Sequence, residues 1–186
     1  MTENGDLYDP HYDVFDVMAA GDIAALDALA KANPPFPDGM DERMVRHWIT
    51  HAVHSRQYTV FDWVLSHGVP VNFCDDEGYS PLKSLLESEE YIPGLPDLGA
   101  EGVIRWIDRL LEAGAQVNFL HTLDETPLHR AALISSPGVV QHLLVRGADP
   151  FAYDAEYVPR QPIHYAQYSK WKDEVTAVLK TAMSRR

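Results

Sequence analysis

A pattern of about 33 residues recurs along the chain, and this repetition constrains the fold more than any local feature does. The clearest copy spans 126–149, where Thr-Pro-Leu-His is followed by an Ala-Ala pair, a Leu-Leu pair and Gly-Ala-Asp. The glycines that close two successive copies, Gly114 and Gly147, are 33 positions apart. Because a unit of this length cannot bury its apolar face alone, we expect the copies to stack on one another.

Each copy reads as two short amphipathic helices. In the clearest copy, apolar residues at helical spacing mark the buried faces: Leu128, Ala131, Ala132, Val139, Val140, Leu143 and Leu144. Glycine follows the second helix, where a left-handed residue ends a helix at little steric cost, at Gly68, Gly114 and Gly147. Proline in the first turn of the first helix breaks no hydrogen bond, and it occurs as Pro81, Pro127 and Pro162.

The pattern predicts one all-α domain over residues 1–186. Five approximate units align on the closing position: 9–33, 41–72, 79–118, 124–151 and 159–186. The third unit exceeds the period, because Gly68 and Gly114 are 46 positions apart. We therefore predict a projecting loop over 87–102, where several prolines and glycines prevent a continuous helix. A smaller extension is expected at 155–160.

These motifs resemble the ankyrin repeat family, closely in 126–149 and more weakly in the first unit, which has Asn33 in place of the closing glycine. The resemblance implies a solenoid of stacked helix-turn-helix units with short finger loops. It also implies that fingers and first helices hold a protein partner. His129 and His164 lie at the family's motif position, where the resemblance implies hydrogen bonds that connect adjacent repeats.

The composition limits the class of partner. A formal net charge of -13 opposes binding to a phosphate backbone, so we expect no nucleic-acid partner. No apolar stretch approaches the roughly 20 residues that span a bilayer, and the N-terminus lacks the pattern of a secretory signal. Cys74 is the only cysteine, which rules out an internal disulfide. We expect a cytoplasmic protein that is monomeric when free and carries no cofactor.

One arrangement suggests metal binding, and we favour a structural interpretation of it. His47, His51 and His54 have spacings of four and three, which would place three imidazoles on one helix face. The repeat register instead puts His51 and His54 beside the packed pair Ala52 and Val53, and no second segment supplies clear ligands. No glycine-rich phosphate loop or nucleophile–histidine set is present, so we expect no enzymatic activity.

The candidate contact residues come from the fingers, the first helices and the inserted loop. Finger and helix positions are carried over from the family resemblance, and the inserted loop is included because long loops with apolar residues are commonly functional. We expect Phe73 and Phe119 to pack against the adjacent finger instead. The candidates are Cys74, Asp76, Glu77, Tyr79, Tyr91, Ile92, Leu95, Leu98, Leu120, Thr122, Leu123, Arg130, Tyr153, Glu156, Tyr157, Arg160 and Tyr165.

Two functions fit this sequence. The first is a small acidic protein that binds and neutralises a basic partner, similar to immunity proteins or inhibitors that cover a toxin or enzyme. The second is an adaptor or regulatory subunit that presents one protein to another. The charge favours the first interpretation, because an acidic surface attracts a basic one.

Overall fold

The computed structural model describes residues 14–41, 46–75, 78–87 and 97–185. These ranges are mostly helical, as predicted, with a small two-stranded antiparallel ribbon of β1 (Met40–Asp41) and β2 (Arg46–His47). The described helices are α1 (Val14–Ala20), α2 (Ile23–Ala32), α3 (Trp48–His54), α4 (Tyr58–Ser66), α5 (Pro81–Glu87), α6 (Gly99–Glu112), α7 (Pro127–Ile134), α8 (Pro137–Val145), α9 (Pro162–Tyr165) and α10 (Lys172–Met183). Short 3-10 turns lie at Thr122–Asp124 and Ala166–Tyr168.

The helices contact one another in pairs that follow the chain. Each odd-numbered helix packs against the even-numbered helix after it, and also against the next odd-numbered helix. Among the even-numbered helices, α2 contacts α4, α6 contacts α8, and α8 contacts α10. Every helix pair therefore buries its apolar face partly within the pair and partly against its neighbour in the sequence.

The core lies between these pairs. In α7 and α8 the side chains of Leu128, Ala131, Ala132, Val139, Val140 and Leu143 are completely buried, as their spacing predicts, whereas Leu144 is only half-buried. The small Ala131 and Ala132 side chains let α7 approach both α5 and α9. Trp106 is the largest fully buried side chain, and it packs against Phe61 and Tyr58 of α4.

The predicted helix ends are confirmed where glycine and proline specify them. Gly68, Gly114 and Gly147 have φ values of 81°, 96° and 95°, the left-handed conformation that glycine adopts without a Cβ clash. Pro81, Pro127 and Pro162 are the first residues of α5, α7 and α9. Asn33 ends α2 differently, with φ of -127° and its N–H bonded to the Leu29 carbonyl.

The helix that follows the inserted loop begins earlier than predicted. We expected a loop over 87–102, but α6 already begins at Gly99, where φ is +56°. Leu98 then packs against the core and lies directly over Gly102, whose missing side chain leaves room for it. Leu98 is therefore a helix-end packing residue and does not project. Tyr91, Ile92 and Leu95 lie outside the described residues.

Aspartates on the even-numbered helices connect neighbouring pairs. Asp27 accepts a hydrogen bond from the Trp63 indole N–H at 2.7 Å, and Asp108 Oδ1 lies 2.7 Å from His142 Nε2. Asp62 makes the equivalent contact with Arg109. Each of the three aspartates lies six positions before the residue that closes its unit. The same contact therefore recurs at three successive junctions between four helix pairs and fixes their register.

The described helices are too short or too polar for a membrane span: none has the length and apolar content that crossing a bilayer requires.

Candidate interaction surface

Three loops lie side by side at the ends of the helix pairs, and we call their combined surface the loop face. Loop L1 comprises 73–75 and 78–80, loop L2 comprises 119–126, and loop L3 comprises 151–161. L1 contacts L2 through a 2.7 Å hydrogen bond between Ser80 Oγ and His121 Nε2. L2 contacts L3 because the Ala155 N–H donates to the Leu123 carbonyl at 2.7 Å. The loops therefore form one continuous surface.

Each loop is closed by the same kind of backbone hydrogen bond between its two ends. In L1 the Asp75 N–H donates to the Tyr79 carbonyl at 3.0 Å, and in L2 the His121 N–H donates to Glu125 at 2.9 Å. In L3 the Asp154 N–H donates to the Arg160 carbonyl at 3.0 Å, with two more residues between the ends. The extension expected at 155–160 therefore lengthens an otherwise regular loop.

Asp154 organises L3 from a buried position. Its carboxylate accepts hydrogen bonds from the Arg160 N–H at 2.8 Å and from the Tyr165 hydroxyl at 2.6 Å. Burial opposes ionisation of this carboxyl, but these hydrogen bonds outweigh it and hold the pKa of Asp154 below its ordinary value. Burial and the same carboxylate raise the pKa of Tyr165, so its hydroxyl stays a donor. The polar groups of Arg160 and Tyr165 are thus engaged within the molecule.

The candidates nearest L1 are also engaged. The half-buried Tyr79 ring lies between the Arg46 guanidinium, 4.6 Å from its centroid, and the Lys83 ammonium, 5.2 Å away. Arg130 forms a half-buried ion pair with Glu87 at 2.8 Å. Burial and the neighbouring Asp75 raise the pKa of the half-buried Cys74 thiol, which opposes formation of a reactive thiolate. Asp76 and Glu77 lie outside the described residues.

The freely accessible candidates belong to L2 and L3. Leu120, Leu123, Tyr153 and Tyr157 are each more than half exposed, and Tyr157 is fully exposed. Val158, which the sequence interpretation missed, is also exposed. These five residues, which we call the apolar patch, are five of the eight exposed large apolar or aromatic side chains in the described part of the chain. Thr122 is exposed beside them, and Glu156 is half-exposed and pairs with Arg160.

The tip of L2 holds two residues in a conformation that favours glycine. Leu123 and Asp124 have φ values of 60° and 54°, whereas the corresponding turn of L1 uses Gly78, with φ of 83°. A left-handed residue with a side chain costs roughly 1–2 kcal/mol. This backbone presents the Leu123 side chain to solvent, and strain of this kind is typical of binding loops.

The histidine at the motif position connects L3 to α7. His129 Nδ1 accepts a hydrogen bond from the Thr126 N–H at 3.1 Å, and Nε2 bonds to the Arg160 carbonyl at 3.1 Å. The connecting role implied for His129 is therefore confirmed. His164 makes the first of these two hydrogen bonds in its own repeat, because its Nδ1 accepts a hydrogen bond from the Gln161 N–H at 2.9 Å.

The three histidines considered for metal binding have protein partners. His47 lies just before α3, so the helical spacing assumed for it is wrong. Its Nε2 accepts from the Gly39 N–H at 3.3 Å, and its ring lies 4.3 Å from that of Phe73. His51 Nε2 lies 3.2 Å from an Asp41 oxygen. Within the described ranges, no group of three or more His, Cys, Asp or Glu residues is arranged to hold a metal ion.

Replacing Gly78 with Ala is expected to destabilise the fold by about 1–3 kcal/mol, because a Cβ there would overlap the Thr122 hydroxyl and strain a left-handed residue. Gly147→Ala is the matched control, since Gly147 has a similar φ but open space around its Cα. Gly147→Ala should lower the free energy of unfolding only through backbone strain, by about 1 kcal/mol. Urea unfolding of both variants measures the difference, and equal losses would show that L1 and L2 are not in close contact.

The sequence of the clearest copy has a counterpart among known families. A model of the Ankyrin repeat family matches residues 123–155, which extend from the tip of L2 through α7 and α8 into L3. Ankyrin repeats are non-enzymatic modules for protein–protein interaction. The matched segment contributes Leu123, at its first position, and Tyr153 to the apolar patch. Residues 123–155 are therefore similar in sequence to an ankyrin repeat, the family that the motifs of the clearest copy resemble.

Proposed function

We propose that the chain is a single solenoid of about five ankyrin-type units that binds another protein through the loop face. The observation that carries this proposal is the apolar patch, because exposed large apolar side chains are concentrated on two adjoining loops. Patches of this kind, edged by polar residues, are typical of protein interaction sites. The ordered contacts between helix pairs support the solenoid, since each pair packs against the next.

We further propose that the partner is a basic protein and that binding neutralises it, as an immunity protein or inhibitor does. The net charge of -13 supports this, because long-range attraction would raise the rate at which a basic partner associates. An adaptor that recruits its partner would use the same surface without blocking the partner's activity. Assay of the captured partner with and without this protein distinguishes inhibition from recruitment.

The contact residues divide into three groups in this proposal. The apolar patch supplies most of the binding energy, since exposed tyrosines bury a large area with little loss of entropy. Tyr79, Arg130, Arg160 and Tyr165 are half-buried and contribute mainly through their exposed portions. Asp76, Glu77, Tyr91, Ile92 and Leu95 remain candidates from the sequence alone.

Truncating Tyr157 to Ala is expected to weaken partner binding by about 1–2 kcal/mol, mainly through faster dissociation, because interface mutations act chiefly on the off-rate. Val145→Ala is the matched control, because Val145 is 71% exposed but lies on α8, outside the three loops. Surface-resonance kinetics with the captured partner measures both rates. Equal losses in the two variants would place the interface elsewhere.

Association of the wild-type protein should slow as salt rises, since attraction between separated charges is screened beyond about 8 Å at physiological ionic strength. The dissociation rate should change much less. Insensitivity of the association rate to salt, together with an acidic partner, would contradict the electrostatic argument and favour the adaptor.

A further inference from the structure

Two tyrosine rings on or next to the loop face lie against cations of the same chain. The Arg46 guanidinium and the Lys83 ammonium lie over the Tyr79 ring. The Arg160 guanidinium lies over the Tyr165 ring, 5.2 Å from its centroid. A guanidinium over an aromatic face is attracted by the negative potential of the ring. The half-buried tyrosines of this surface are therefore occupied from within the molecule.

The two exposed tyrosines differ in this respect. Tyr153 is 59% exposed and Tyr157 is fully exposed. Over the described ranges, the cation–ring contacts involve Tyr79, Tyr165 and Trp171, and none involves these two rings. Both faces of Tyr157 are thus available to a cation that a partner supplies.

The charges of L2 and L3 favour such a cation. These loops contain four acids, Asp124, Glu125, Asp154 and Glu156, against the single base Arg160. Arg160 is already paired with Asp154 and Glu156, at 3.7 Å in each case. Asp124 is exposed at the tip of L2 and forms no ion pair with any described residue. A negative edge therefore lies beside the open rings.

We propose that the apolar patch receives arginine side chains of the partner, with guanidinium groups over the rings of Tyr153 and Tyr157. The aliphatic part of each arginine would pack on Leu120, Leu123 or Val158, and the exposed Asp124 would balance its charge. Arginine suits this surface better than lysine, because its planar, weakly hydrated group stacks on aromatic faces. This inference rests on the proposed function and specifies the chemistry of its partner.

A hexa-arginine peptide tests the inference without requiring the natural partner. Affinity is measured by NMR titration of the full chain and of three variants: Tyr157→Leu, Tyr157→Phe and Tyr168→Leu. Leu keeps apolar area but removes the aromatic ring, so Tyr157→Leu should weaken binding by about 2- to 30-fold. Tyr157→Phe keeps the ring and should bind like wild type. Tyr168 is 67% exposed but lies outside the three loops, so Tyr168→Leu should also have no effect.

A second peptide and a charge control separate stacking from diffuse attraction. Hexa-lysine should bind more weakly than hexa-arginine and should be less sensitive to Tyr157→Leu. Asp173→Asn removes an exposed acid on α10 and should change the affinity no more than about 2-fold. Equal weakening by Asp173→Asn and Tyr157→Leu, or no weakening by Tyr157→Leu, would overturn the inference. If Tyr157→Ala weakened binding of the natural partner, that result would then still support the proposed function, since this variant also removes apolar contact area.

Discussion

Replacing Leu143 with Ala should lower the free energy of unfolding by about 2–5 kcal/mol, as is typical for a fully buried leucine in a packed core. Leu143 is 0% exposed and lies on α8, which packs against α6, α7 and α10. The truncation would therefore leave a cavity where neighbouring helix pairs meet. Urea unfolding followed by circular dichroism measures the loss.

Val145→Ala is the control for this experiment, because Val145 lies on the same helix but is 71% exposed. A surface substitution of this kind should change stability by no more than about 0.5 kcal/mol. A near-neutral Leu143→Ala variant, or a large loss for Val145→Ala, would mean that a different face of α8 is buried. The repeat alignment would then be wrong at its best-matched segment.

Helix ends were predictable from the sequence where the backbone itself imposes a requirement. Gly114 and Gly147 adopt left-handed conformations because residues with a Cβ do so at a steric cost. Pro127 begins α7 because proline has no N–H to donate within a helix. These are local constraints, and one sequence is sufficient to recognise them.

Features that depend on packing between distant residues were not predictable in the same way. The start of α6 depends on Leu98 packing over Gly102, which no residue pattern near 99–102 indicates. The strands of the ribbon, Met40–Asp41 and Arg46–His47, are too short to show the alternation of a strand. The aspartate contacts could have been found, since Asp27, Asp62 and Asp108 share one position in the repeat alignment.

On the candidate surface, too, the sequence shows the type of each residue but does not show what surrounds its side chain. The sequence indicated both Tyr157 and Tyr165 as contact residues, with more weight on Tyr157. The structure shows the environment of each, because the Tyr165 hydroxyl reaches the buried Asp154 carboxylate while Tyr157 is left in solvent. Val158 was missed because the sequence interpretation gave most weight to tyrosine, although a valine beside an exposed tyrosine adds to the same patch.

Stability should fall steeply as the pH drops from 7.5 to 5, because the fold holds histidines in their neutral form. Burial, with His51 and the Arg46 guanidinium nearby, lowers the pKa of His54 to about 4. Burial and the neighbouring Lys83 lower the pKa of His121 to about 4 as well. In the unfolded chain both return to about 6.5, so unfolding takes up protons below that pH. Each histidine should therefore remove about 2 kcal/mol of stability by pH 5.

The direction of this change in stability with pH follows from the lowered pKa values of His54 and His121. A base whose pKa is lower in the folded state contributes its full stability above pH 6.5 and loses it progressively down to about pH 4. Asp154 adds nothing over this range, because its pKa lies below its ordinary value of 3.8 and it stays ionised from pH 5 to 7. His54 and His121, and not the Asp154 carboxylate, should therefore dominate the dependence of stability on pH.

His121→Gln is the variant that tests this assignment, because Gln can still hydrogen-bond the Ser80 hydroxyl, which lies 2.7 Å from the imidazole. Gln cannot take up a proton, so the loss of stability between pH 7.5 and 5 should be smaller in the variant by about 2 kcal/mol. The variant is expected to be less stable than wild type at pH 7.5, and the comparison uses only the change with pH within each protein. Unfolding in urea at several pH values measures both slopes. Identical slopes would mean that His121 takes up its proton as readily in the folded state as in the unfolded chain, and the buried contact between L1 and L2 would then have to accommodate a charge at pH 5.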